Sequence, residues 1–271
     1  MMAGQSDLRG HGGFVPVTKK NLLLFGLLFL FCVGVRVPAD LLWPFMLNKA
    51  GFSDRQIQLT SGEGSWLAGS FRRVQVVGRE LGSVSWRFRP MSMLAGSLRF
   101  DLTVRNDEST LSGVFKAGPG RVGLDGVQGM IPLHLISKIA GLPGIELSGK
   151  LTFSQLFLVV KKGRLNSAGG EIFWQDAGMN KPYKLNAGNI VAVLKTDQEG
   201  IKINAADKGG ELMIRLAGTV FPDGNYSMNG DFATRDSAHP DLVSFLKVMG
   251  EPGPDGRVRL SYRGKIGKML P

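Results

Sequence analysis

Leu98-Arg-Phe-Asp-Leu-Thr-Val-Arg105 alternates apolar with polar residues along its whole length. In an extended chain successive side chains point to opposite faces. Leu98, Phe100, Leu102 and Val104 therefore share one face, and the charged residues share the other. This is the pattern of a half-buried antiparallel strand. The same period of two precedes this stretch at Ile57 and Leu59, at Val74 and Val76, and at Val84, Trp86 and Phe88. It follows through Leu147–Phe153, Tyr183–Leu194, Ile201–Ala205, Leu212–Val220, Tyr226–Phe232 and Val258–Ile266. From Gln56 onward the chain is expected to form about twelve to fourteen strands.

Turn chemistry punctuates these runs. Pro222-Asp223-Gly224 and Pro254-Asp255-Gly256 read as hairpin turns, and Gly209-Gly210 links two further runs. Three short helices are expected. Asp40 caps Leu41 to Lys49, which Gly51 ends. Pro132 begins a second, with Leu133, Leu135, Ile136 and Ile139 on its apolar stripe. A third starts near Asp236 or Ser237 and carries Leu242, Val243, Leu246 and Met249 before Gly250. The last two are expected to close an end of the sheet or cover an edge.

An apolar–x–Gly–x–apolar pattern recurs at Leu94–Gly96–Leu98, Leu111–Gly113–Phe115, Leu147–Gly149–Leu151, Leu216–Gly218–Val220, Met228–Gly230–Phe232 and Tyr262–Gly264–Ile266. Period two places each glycine on the apolar face of its strand. A glycine there weakens packing, so it implies a bend or a close backbone approach. The fold class expected is mainly β: a strongly curved antiparallel sheet, rolled into a trough or a partly open barrel.

Ahead of the sheet lies Leu22–Val35, fourteen consecutive apolar or glycine residues behind Lys19 and Lys20 and closed by Arg36. As a helix this run rises about 21 Å, short of the ~30 Å hydrocarbon layer. Val37 lengthens it and Arg36 can snorkel, so a short transmembrane helix is expected over 21–37. The lysines favour a cytoplasmic tail over 1–20, with 38–271 exported as one β domain. A cleaved signal peptide, cut near Val37-Pro38-Ala39, and a buried core helix are the alternatives. Trp43, in the helix that follows, fits either an outer membrane interface or docking on the domain.

The lone cysteine, Cys32, lies in the apolar run, so no internal disulfide can hold the exported part. The net charge is +11, of which residues 1–36 carry +3, leaving an excess of eight beyond them. Such a surface is either simply solvated, or attracts anionic lipid or an acidic partner protein. No basic and aromatic stripe points to nucleic acid. The three histidines have no metal-ligand spacing. Gly118-Pro-Gly120-Arg-Val-Gly123 fits a dinucleotide fingerprint in letters, but Leu124-Asp125-Gly126 follows where a helix is needed. It is expected to be a turn. No catalytic residue, cofactor or metal site is expected.

Gly62-Glu-Gly-Ser-Trp66-Leu-Ala-Gly69, then Leu81-Gly82-Ser-Val-Ser-Trp86-Arg-Phe-Arg-Pro90 and Leu94-Ala-Gly96-Ser-Leu98, resemble motifs of the type II secretion system protein N family. Gly170-Glu-Ile-Phe-Trp174, Gly209-Gly210-Glu-Leu212, Pro222-Asp223-Gly224-Asn-Tyr226 and Leu246-x-x-Met-Gly250 follow in that family's order. Trp66 stands three residues from Gly69, where the family spacing is two. The resemblance implies a Gram-negative inner-membrane protein with one N-terminal span and a periplasmic β domain. It implies an accessory role in exporting folded proteins across the outer membrane, with partners in the inner-membrane platform or the secretin. It carries over no catalytic residue, and Trp66, Trp86 and Trp174 read as packing residues. Two roles stay open: a docking subunit that works through an edge strand or surface patch, and a lipid-binding protein with an apolar trough.

Overall fold

The computed structural model describes residues 36–49, 57–76, 78–139, 146–181, 184–235 and 240–266. The chain divides into two compact units, Met1–Val37 and Pro38–Pro271. Apart from Arg36 and Val37, the expected membrane segment and its flanking Lys19 and Lys20 lie outside the described residues. Among the described residues no helix is long and apolar enough to cross a membrane.

The second unit holds one sheet of thirteen strands. They are β1 (Ile57–Gly64), β2 (Ala68–Val76), β3 (Arg79–Phe88), β4 (Leu98–Arg105), β5 (Thr110–Gly118), β6 (Arg121–Pro132) and β7 (Glu146–Lys161). After these come β8 (Arg164–Lys181), β9 (Leu185–Thr196), β10 (Ile201–Asp207), β11 (Leu212–Val220), β12 (Asn225–Thr234) and β13 (Val258–Lys265). Spatial order equals chain order, and the neighbours pair antiparallel. The sheet does not close, because β1 and β13 each pair on one side only. Helix α1 (Ala39–Lys49) precedes β1, α2 (Leu133–Ile139) packs on β6 and β7, and α3 (Pro240–Met249) packs on β12 and β13.

Register gathers the apolar residues on one face. Phe88, Phe100, Phe115, Leu124, Leu158 and Ala168 are successive partners from β3 to β8. On the opposite face Arg87, Asp101, Val114 and Asp125 form the corresponding row. Ion pairs Arg89–Asp101 and Lys116–Asp125 cross that polar face. Three clusters make up the core. The first joins Ala39 and Trp43 of α1 to Phe71, Val74, Trp86 and Phe100. The second joins Leu242 and Leu246 of α3 to Leu212, Ile214 and Val258. The third centres on Ala168, Ile201 and Val220. Another register row, Leu111, Gly129, Phe153, Ile172 and Ala192 over β5 to β9, belongs to none of them. Its side chains are half-buried.

Two readings of the sequence need correction. Leu94–Gly96–Leu98 is not a strand repeat. Pro90–Ala95 forms a 3₁₀ helix, which Gly96 ends at φ 65°, and Leu94 is 86% exposed. Pro254-Asp255-Gly256 is not a hairpin turn either, since it lies between α3 and β13.

The glycines have two uses. Some make room for an aromatic ring on the neighbouring strand. Gly69 faces Trp86 in register, and a Cβ there would stand 2.8 Å from Trp86 Cζ2. Gly264 faces Tyr226, and a Cβ would stand 2.6 Å from its hydroxyl. Such cross-strand pairs let the ring cover a gap in the sheet face. Others sit at bulges. Gly149 of β7, Asp176 of β8 and Gly188 of β9 all have positive φ, and Gly210 before β11 does too. They lie side by side. A Cβ on Gly149 would stand 2.5 Å from Asp176 O, the Asp176 N–H donates to Asn189 Oδ1, and a Cβ on Gly188 would stand 2.7 Å from Gly210 Cα. Register slips on both sides of β8 at this level. A bulge bends its strand, so adjacent bulges form a crease across the sheet.

Candidate functional site

An open sheet offers its edges, since an edge strand presents unpaired N–H and C=O groups that another chain can pair with. The two edges differ. Beside β1 the chain entering α1 makes a bridge between Pro38 and Ser65, and α1 packs on β1. A Cβ on Gly62 would stand 3.1 Å from Asp40 Cβ, so the helix lies close over this strand. Beside β13 no described strand or helix forms a ladder.

β13 is pinned from within and charged without. Val258, 1% exposed, anchors it in the second cluster. Arg259, Ser261, Arg263 and Lys265 alternate with the apolar set and share the opposite face. Arg259 is held by Asp231 and Asp255. Tyr262 is 70% exposed on the apolar side. Like charges repel when they come opposite one another across strands, so this edge resists pairing with a second copy of itself. Its charge is complementary to an extended segment that carries acidic residues.

The residues singled out in the sequence fall into separate places. Trp66 and Trp86 belong to the first cluster with Trp43, and Gly69 is the register partner of Trp86. Trp43 and Trp86 meet edge to face at 5.5 Å, and Phe71 lies 5.2 Å from Trp86. The Trp86 indole donates to Trp66 O at 2.9 Å. The Trp43 indole nitrogen is buried and has no hydrogen-bond partner. Gly82, at φ 105°, lies against Arg105 O, and Pro90 opens the 3₁₀ helix that Gly96 caps. The Trp174 indole donates to Ser148 O across β7 and β8. Asp223 and Gly224 form the β11–β12 turn, where Asp223 Oδ1 accepts from the Asn225 N–H. Gly250 follows α3, its N–H donating to Leu246 O. Arg36 stands in a turn and is exposed.

One polar centre had no signal in the sequence. Asp207, at the end of β10, accepts from the Ile214 and Gly209 N–H groups and from Arg235 beyond β12. Arg235 also donates to Leu212 O. Burial pushes the Asp207 carboxyl up, but the bonds from Arg235 and the two N–H groups outweigh it and hold the carboxyl below its ordinary range. This clasp fastens β10, β11 and β12 at the crease. Among the described residues no group of three or more potential metal ligands comes together.

A family model described as type II secretion system (T2SS), protein N, matches residues 55–261. The type II secretion system protein N of Klebsiella pneumoniae is 26% identical over 267 residues, covering 91% of this chain and 97% of that protein. No solved structure matches the chain.

Proposed function

We propose a role from the premise that this chain belongs to the type II secretion system protein N family, and so is a type II secretion component. Its part is that of an accessory subunit anchored in the inner membrane by residues 21–37. The unit from Pro38 onward works in the periplasm and docks other components of the machine. The basic edge of β13, beside which no described strand forms a further ladder, carries this reading, set against the β1 edge that α1 attends. The partner adds an extended acidic strand to β13, with main-chain bonds giving affinity and Arg263 and Lys265 giving sign.

The test places a photo-crosslinking residue at Ser261 of β13 or at Thr60 of β1, in full-length protein within its native envelope. Adducts are identified by mass spectrometry. Capture of a platform or secretin component from Ser261, reduced in an Arg263→Glu/Lys265→Glu background, supports the role. Capture from Thr60 alone, or capture unaffected by charge reversal, sinks it.

One observation favours a second reading, a curved sheet that shelters lipid. The row Leu111, Phe153, Ile172 and Ala192 is apolar, half-buried and outside the three core clusters. The crease is the device that would turn this face inward. Stoichiometric phospholipid in the purified protein, with no secretion partner, would favour it over docking.

A further inference from the structure

We propose that the corner where the β7–β8 and β11–β12 turns meet binds the phosphate headgroup of an anionic phospholipid. The first observation is an alignment of like charges. Arg121 of β6 is the register partner of Lys161 of β7, and Lys161 is the register partner of Arg164 of β8. Directly opposed like charges destabilise a sheet. Lys162 adds a fourth cation in the turn itself, where its N–H donates to Gly120 O at 3.1 Å. Among the described residues none of these four cations has an ion-pair partner, and a bound anion would offset the repulsion.

Among the described residues the carboxylates on the neighbouring turns make local contacts and form no ion pair with these cations. Asp197 accepts from the Glu199 and Gly200 N–H groups, Glu199 pairs with Lys202, and Asp223 is taken up by Asn225. Three of the four cations, Lys161, Lys162 and Arg164, instead border a hollow of about 370 Å³ completed by Leu165, Asn166 and Pro222. That volume holds a phosphate diester and the first atoms of its substituents.

The hollow is apolar on its other side, which distinguishes an amphiphile from a free anion. Leu165 packs against the third cluster, beside Leu158 and Tyr226. Phe221, next to Pro222 in the facing turn, is 39% exposed. Cations beside an exposed aromatic ring suit the headgroup boundary of a bilayer, where phosphate and glycerol meet hydrocarbon. The inference does not depend on which protein meets β13.

The test titrates full-length protein in a neutral detergent with dihexanoyl phosphatidylglycerol, below its micellar concentration, by calorimetry. Dihexanoyl phosphatidylcholine and inorganic phosphate are run in parallel. Replacing Lys161, Lys162 and Arg164 by Gln should weaken phosphatidylglycerol binding on the order of a hundredfold. Replacing Lys150, Lys195 and Arg215 by Gln removes the same charge elsewhere and should leave binding within about twofold, because distant exposed charges are screened. Phe221→Ser should weaken the lipid and leave phosphate untouched. Circular dichroism checks the fold, and Lys162→Glu, at an exposed turn, is the fallback, with a loss of about tenfold or more. Equal loss in both triple variants overturns the site. Inorganic phosphate or phosphatidylcholine binding as tightly as phosphatidylglycerol overturns the lipid assignment.

Discussion

Asp207 shows how a single side chain fastens three strands. It is only 11% exposed, and Arg235 is 35% exposed, so the pair is far from a solvated surface bridge. Removing the charge while keeping the shape, by Asp207→Asn, should cost about 1.5–3 kcal/mol at pH 7, the range for hydrogen bonds to charged groups. The folded carboxyl titrates below the unfolded value of about 3.9. Its contribution is therefore complete above that value and is lost as pH falls through the folded one. Urea unfolding of both proteins from pH 6 to pH 2 should show the gap narrowing only below about pH 4. A gap of constant size would remove the carboxylate from the account. This pair was illegible in the sequence. Its two residues stand 28 apart and meet only after β10, β11 and β12 have taken register. Trp66 and Trp86 were easier, because a tryptophan within an alternating run has few uses besides packing.

Among the elements, hairpins were the most legible. Every strand pairs with its neighbours in sequence, so no distant pairing had to be guessed, and local alternation with turn chemistry located most strands, though β6 and β8 showed no alternating run. Reading failed where spacing imitates a strand without being one. Leu94, Gly96 and Leu98 keep a period of two, yet Met91, Met93 and Leu94 are exposed on the 3₁₀ helix. It failed again at the crease, because a bulge shifts the alternation it would be read from. The glycines announced that something bends, without saying that the bends line up from β7 to β11. Gly188→Ala tests the alignment. The added methyl would stand 2.0 Å from Gly209 O on a backbone at φ 80°. A cost of about 3 kcal/mol is expected from the clash and the left-handed backbone together. Gly96→Ala, also at positive φ but with nothing within 4 Å, should lose only about 1–2 kcal/mol in the same urea assay. Equal losses would mean that the close approach at the crease carries no weight.

At the scale of the Pro38–Pro271 unit, the core is divided. Three of the chain's four tryptophans, Trp43, Trp66 and Trp86, report on the first cluster, while α3 and β11–β13 make the second. No residue is common to the two. Urea transitions followed by tryptophan fluorescence and by hydrogen exchange in β11–β13 are therefore expected to have different midpoints. Leu242, 1% exposed, should separate them further. Leu242→Ala should cost the second cluster about 2–5 kcal/mol and leave the fluorescence midpoint in place. Coincident midpoints that move together would make the sheet one cooperative body. The β13 edge, which no described strand extends, also gives the protein a grain. A force along that strand loads all its hydrogen bonds to β12 together, in shear, whereas a force across the sheet opens them one after another. A partner strand added to β13, as proposed, would form a ladder of the same kind, firm against a lengthwise tug and released by a sideways one, so the joint would be strong under load and still come apart.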